Sequence, residues 1–335
     1  MKTVLVSACS AILILGAVST ASAENLRIQS VVSAGSSANQ QLEKFAENVG
    51  LMSGGRLTIE ILPDGAVVDA SETLDAIGKG LLDGHFASVG YFAGQDKAFA
   101  VLGHFMAGYE TPDQFKMFYD QCGGKEMLGE LYGEYGAHLV GTAFWQPEAI
   151  PSNIPLPGIG AMEGIKMRAP GGVVGSVFSA AGVSVVTLPG SEVFEALSSG
   201  LVDATDYSTL GTNLQAGLHE FAKHTIYPSI TSMPAFEISF SSKKWDALDD
   251  DLKAIVEVAA NQFATDLAQV TFLEDQEALG GMQDLGVTVH DWSVEDRQKF
   301  RALAAEAVKE YASDSGSAQK AYDLHIACME KLNLL

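Results

Sequence analysis

The chain has little positive charge. Against 42 acidic side chains it sets only 20 basic ones, for a formal net charge of −22. That balance argues against a nucleic-acid partner, because phosphates call for a basic face. Arginine is scarcest: Arg27, Arg56, Arg168, Arg297 and Arg301 are the whole set, and only Arg168 falls mid-chain. Catalytic signatures are missing too. There is no G-x-S-x-G elbow, no H-E-x-x-H and no G-x-x-x-x-G-K-[ST]. The seven histidines are scattered, and His219 and His224, five apart, do not share a helix face as i, i+4 ligands would. Gly171-Gly172-Val173-Val174-Gly175 lacks the G-x-G-x-x-G spacing and reads better as a turn or helix start that lets backbone approach a ligand. A nucleophile, a base and oxyanion donors cannot be assembled from this inventory, which disfavours a secreted enzyme.

Cysteine is nearly absent and long apolar runs occur once. Lys2, the apolar residues 4–18 and Ala21-Ser22-Ala23 before Glu24 make a cleavable secretory signal. The run is shorter than the roughly 20 apolar residues a membrane span needs, so residues 1–23 are expected to be removed and the mature chain to be soluble. Val6-Ser7-Ala8-Cys9 looks like a lipoprotein box, but most of the apolar run follows it. Export leaves Cys122 and Cys328 in an oxidising compartment. A bridge between them and a pair of buried thiols are both compatible with the sequence, which offers no C-x-x-C or zinc spacing.

What is present is an alternation of short β-prone runs with amphipathic helices, the pattern of an α/β fold with largely parallel sheets. Strands are expected at 26–32, 57–62, 85–88, 137–145, 165–169, 183–187, 235–241 and 287–291. Helices are expected at 37–49, 73–82, 175–181, 191–197, 249–279 and 294–311, with a loop after Asp206 and no internal repeat. The chain leaves one sheet domain and returns to it. Residues 24–146 plus about 236–285 therefore make lobe I, 147–235 make lobe II, and 286–335 pack across both. The helix over 249–279 is long enough to brace the two lobes.

Arg168 closes the predicted strand Gly164-Ile165-Lys166-Met167-Arg168. Ligands of α/β domains sit at the carboxyl ends of strands, and a planar, permanently charged fork there suits a carboxylate. Pairing with an acidic neighbour is the competing role. That strand motif, Leu188-Pro189 with Glu192-Val193-Phe194-Glu195-Ala196-Leu197, and Gly200-Leu201-Val202-Asp203-Ala204 follow in order and spacing the core pattern of the TRAP-type (DctP-like) solute-binding proteins. Gly65, Val89-Gly90-Tyr91-Phe92 and Trp245-Asp246-Ala247-Leu248 extend the resemblance over nearly the whole mature chain.

The resemblance implies a two-lobed periplasmic binding protein that closes on a small organic acid, with Arg168 gripping its carboxylate. It also implies delivery to the small and large membrane subunits of a TRAP permease. Gln146, Asp206 and Tyr207 are similar to the branch that binds 2-oxo acids or lactate through a sodium or calcium ion, and oxygen donors suit such hard cations. Two departures stand against this: aligning Gln146 needs a one-residue gap, and that branch's glutamate after Tyr227-Pro228 is replaced near Thr231-Ser232. Tyr91 and Trp145 would wall the pocket and Ser232 would reach the ligand. The alternatives are a sugar acid, a dicarboxylate or a sulfonate bound without metal, and a sensory module that presents its ligand to a receptor. The resemblance allows a monomer or a homodimer.

Overall fold

The computed structural model describes residues 23–106, 108–230 and 233–335. Residues 1–22, where the cleavable signal is expected, Ala107, and Thr231 with Ser232 lie outside them. The first sheet holds β1 (Glu24–Ser30), β2 (Leu57–Leu62), β3 (Gly84–Ser88) and β4 (Ala137–Phe144). The second holds β5 (Ile150–Ser152), β6 (Lys166–Ala169), β7 (Ser184–Thr187), β8 (Ala204–Thr205) and β9 (His224–Ile226). The chain then returns to the first sheet as β10 (Ala235–Ser241) and ends the second with β11 (Thr288–His290). The strand orders are β2-β1-β3-β10-β4 and β11-β9-β5-β8-β6-β7.

Lobe I follows from its sequence in a simple way. Ser36 accepts from the Asn39 amide and starts the helix Ser37–Met52, whose Leu42, Phe45 and Val49 turn inward at helical spacing. β3 is buried along its whole length and pairs parallel with β1 and antiparallel with β10. Phe86 of β3 packs edge-on against Phe263 of the long helix, at 5.2 Å between ring centroids.

The long helix Asp250–Gly281 belongs to both lobes. It packs on the helix Ser37–Met52 and β4 on one side and on the helix Leu210–Gln215 on the other. Asp275 accepts from the Gly211 amide at 2.7 Å and Glu274 from Ser37 at 3.0 Å. A Cβ at Gly211 would stand 2.7 Å from the Glu274 Cβ and 2.8 Å from its backbone, so this crossing requires glycine. The segment after Asp206 thus contains a helix, capped by Thr209, where the sequence reads as loop. Thr209 and Asn213 supply the side-chain hydrogen bonds that override its weak propensity.

Helices at 97–103, 112–121, 124–134 and 316–331 were not assigned from sequence. The last of them carries Cys328, which forms a disulfide with Cys122 across 206 residues, at a Cα separation of 5.6 Å within the usual range. The helix Val294–Ser313 packs on Val173–Ala180 of lobe II, and Gly316–Lys331 packs on Lys97–Gly103 of lobe I.

The structure also exposes a repeat that the sequence reading missed. Residues 72–88 and 192–208 each run helix, left-handed glycine (Gly80, φ 72°; Gly200, φ 73°), leucine, apolar residue, aspartate and strand. Asp83 accepts the Arg27 amide at 2.9 Å, and Asp203 the Lys166 amide at 2.8 Å. The same aspartate ties the helix–strand unit to β1 in one lobe and to β6 in the other. The copies share Glu72/Glu192, Ala76/Ala196, Gly80/Gly200, Leu81/Leu201, Asp83/Asp203 and Ser88/Ser208, a short match confined to one helix–strand unit.

Candidate functional site

The repeat explains where Arg168 sits. In lobe I, Gln29 lies two residues past the strand position held by Asp83. It is fully buried, donates to the Val68 carbonyl at 2.7 Å and accepts from the amides of Val67 and Val68. In lobe II the matching position is Arg168, which donates through Nε to the Leu188 carbonyl at 3.0 Å. The glutamine is satisfied by one loop. The guanidinium, with five donors, is not. Nη1 reaches the Asp206 carbonyl, and the Asp206 amide returns a bond to the Arg168 carbonyl at 2.9 Å. No described residue accepts from Nη2. Arg168 is nevertheless only 4% exposed. Two backbone carbonyls fix the plane of a cation whose outer edge is left to something else.

Two carboxyls share its surroundings. Asp206, 1% exposed, lies one residue past β8, and neither of its oxygens meets a donor among the described residues. Glu148, 6% exposed, faces it from the crossing between β4 and β5. An antiparallel bridge between Ala149 and Ser208, with Asn213 donating to both their carbonyls, seats that crossing against the strand end. Burial first, and then the neighbouring Asp206, hold the Glu148 carboxyl well above the usual carboxylate range. Burial pushes Asp206 up to about 6, with Glu148 and Arg168 pulling it back. Asp206, whose oxygens meet no donor among the described residues, lies beside Glu148, and a shared proton or a cation relieves the repulsion between two such buried acids. Fully ionised, the trio of one arginine and two acids would carry a net negative charge and repel an anion. With a proton or a cation added it becomes receptive to one.

Aromatic hydroxyls from both lobes close the space. Burial pushes the Tyr91 phenol up to about 12, against the pull of Arg168. Burial raises Tyr207 as well, opposed by Arg168 and by a hydrogen bond with Ser33 of lobe I. The Tyr207 ring lies over Gly190, where a Cβ would approach it to 3.3 Å. Asp64, on the turn after β2, bears on both tyrosines. The lobes also meet at Gly172, whose φ of 72° favours glycine and where a Cβ would come within 3.2 Å of Ala100.

Arg168, Asp206, Tyr207 and Tyr91 are therefore brought together. Gln146 is not joined to them: its amide donates to the Ala268 carbonyl at 3.0 Å, and it lines a groove with Lys116, Phe272 and Leu273. Trp145 is packed in the lobe I core, 4.2 Å from Phe236 and 5.9 Å from Phe86 by ring centroids. Strand alternation beyond β4 turns Trp145 into the core, and the long helix captures Gln146. Ser232 lies outside the described residues. Glu148 was missed in the sequence, although an acid in the apolar stretch between Phe144 and Ile150 was a signal.

Residues 28–314 match the model of the DctP family, bacterial extracellular solute-binding protein family 7. The chain is 26% identical over 298 residues to a monocarboxylate 2-oxoacid-binding periplasmic protein from a Nostoc species, covering 84% of this chain and 77% of that one. A TRAP periplasmic solute-binding protein from Rhodobacter sphaeroides, in an apo open structure, is 37% identical with a TM-score of 0.77, over 93% of this chain and 99% of that one. A TRAP solute-binding protein from Pseudoalteromonas atlantica with bound sodium and pyruvate shares the fold, at 21% identity and a TM-score of 0.82, over 93% and 95% of the two chains. With a family match across most of its length and the two-sheet architecture above, the chain belongs to the DctP family of bacterial extracellular solute-binding proteins.

Proposed function

We propose that this protein is the periplasmic receptor of a TRAP transporter and that it captures a small 2-oxo or 2-hydroxy monocarboxylate. The observation that carries the reading is the buried Arg168 guanidinium, held by two backbone carbonyls with its Nη2 edge unclaimed among the described residues. A carboxylate on that edge makes charge-assisted bonds in a site shielded from water, where they are strongest. Among the described residues, no lysine or second arginine joins Arg168 in the interactions of this site, which favours a monoanion over a dianion.

The acid pair fits a hard cation. Asp206 and Glu148 would hold sodium or calcium with help from the Tyr207 carbonyl, in place of the Gln146 set expected from sequence. Such an ion supplies positive charge beside the bound acid. Tyr91, Tyr207 and Ser33 close over the ligand from both lobes, in a hinge movement about the crossings and the long helix. The closed form then docks on the small and large membrane subunits, after export through a cleavable signal. The family is one of transport receptors rather than enzymes.

The test is calorimetric titration of ligand-stripped protein with pyruvate, lactate, 2-oxobutyrate, succinate and a hexuronate, each with calcium, sodium or chelator. The reading expects saturable binding of a 2-oxo or 2-hydroxy monocarboxylate that weakens at least tenfold with chelator in sodium-free buffer. Preference for succinate or the hexuronate would replace the substrate class, and indifference to cations would remove the ion.

A further inference from the structure

Outside the cleft, the histidines divide unevenly. His85, His104, His219 and His325 are buried, and His138 stacks on Trp245 at 4.5 Å. The remaining two, 66 residues apart in sequence, meet at the edge of the second sheet: His224 Nδ1 lies 3.1 Å from His290 Nε2, with the rings stacked at 5.2 Å. His224 heads β9, and His290 ends β11, the parallel edge strand beside it. In the register Thr288 faces His224 and Ile226 faces His290, so the two imidazoles share one side of the sheet on a diagonal. Both are half-buried and open to solvent.

We propose that His224 and His290 form a two-histidine chelate for a borderline divalent transition metal, of the zinc, nickel or copper class. Imidazole nitrogens bind such ions at about 2.0–2.1 Å, which places two nitrogens on one metal ~2.9–3.4 Å apart for square or tetrahedral angles. The observed 3.1 Å lies within that span. The contact is a hydrogen bond between the two rings, so a metal would take the place of the proton between nitrogens that already lie side by side, with little further ordering of the side chains. The charges around them do not compete. Lys223, next in sequence, is turned away onto the carbonyls of His219 and Leu285, and Asp291 is paired with Arg297 at 2.9 Å. Water completes the coordination shell.

The consequence is mechanical. β11 is a three-residue edge strand and the only strand between the long helix and the C-terminal helices. A metal bridging it to β9 would clip that segment to lobe II. The clip is independent of the acid cleft, whose cation would be hard and oxygen-bound.

The experiment is a melting series on the mature protein with zinc, nickel or copper chloride at pH 7.5, in a non-coordinating buffer and without organic acid. The wild type and an Asp206→Asn variant should gain about 2–4 °C at saturating metal and lose the gain when a chelator is added. His224→Asn and His290→Asn should show no gain. In the wild type, paramagnetic nickel should broaden two histidine ring resonances before the others, a readout that does not depend on how the variants fold. Absence of a saturable gain in the wild type, its survival in both histidine variants, or broadening of other histidines would overturn the proposal.

Discussion

Replacing Glu148 by glutamine should stabilise the ligand-free protein. Burial, and then the neighbouring Asp206, hold the Glu148 carboxyl well above the usual carboxylate range, and burial raises Asp206 from an ordinary 3.8 to about 6 although Glu148 and Arg168 pull it back. A carboxyl with a raised folded-state pKa carries no penalty below its unfolded pKa. The penalty grows as pH climbs: for Asp206 it reaches about 3 kcal/mol above pH 6 and persists in the variant, whereas the penalty of the Glu148 carboxyl itself, raised in the same direction, is the one the substitution removes. Glutamine removes one acid and supplies an N–H donor to the other. The variant should therefore melt about 2–5 °C above the wild type at pH 7.5 in chelator, with the gap shrinking toward pH 4.5. Other groups shape both profiles alike: His104, lowered to about 4, favours the folded state above its unfolded pKa and costs stability as pH falls through 6, and Asp275, raised to about 6, acts in the opposite sense. They cancel in the difference between the two proteins. With calcium the order should reverse, because only the wild type keeps two carboxylates. A Glu148→Gln protein that melted at or below the wild type at pH 7.5, with the same slope against pH, would refute the shared-proton picture of this pair.

Gln146→Ala should leave acid affinity within a few-fold, since its amide is committed to Ala268; a hundredfold loss by calorimetry would restore it to the site. Reduction of the Cys122–Cys328 disulfide, or Cys328→Ser, frees a loop of 206 residues and should cost about 2–5 kcal/mol in denaturant melts, without changing affinity for the acid. In lobe I, Glu237 is fully buried, lies 2.7 Å from His85 and accepts from Tyr132 at 3.2 Å. Glu237→Ala should lose about 3–5 kcal/mol by leaving those partners unpaired, which a urea titration would read directly.

The strand order of neither sheet was legible, yet the α/β class and most strands were. Periodicity reports which face of a segment is buried but not which strand lies beside it. Arg168 stood out because it is isolated in charge and ends a strand. Asp206 and Tyr207 followed from their place after the Gly200–Ala204 motif. Gln146 and Trp145 lie apart from the Arg168 cluster for a local reason: they follow β4 directly, and a residue's direction at a strand end depends on where the chain bends next. There the bend gives Trp145 to the core and Gln146 to the long helix, and it delivers Glu148 to the cleft. The partnership of His224 with His290 was invisible because nothing in the sequence records that β11 adds beside β9.

The most direct test of the account is a paired calorimetric titration of wild type, Arg168→Lys and Arg168→Ala with the best-bound acid, alongside circular dichroism to confirm folding. Truncating one partner of a buried, hydrogen-bonded charge pair costs about 2–5 kcal/mol, a loss of roughly 30- to several-thousand-fold. Lysine keeps the charge but cannot reproduce the fork that bonds Leu188, Asp206 and the ligand together, so it should recover only part of that loss. If folded Arg168→Ala protein bound the acid within a few-fold of wild type, the carboxylate would not sit on Arg168, and the central claim would be wrong.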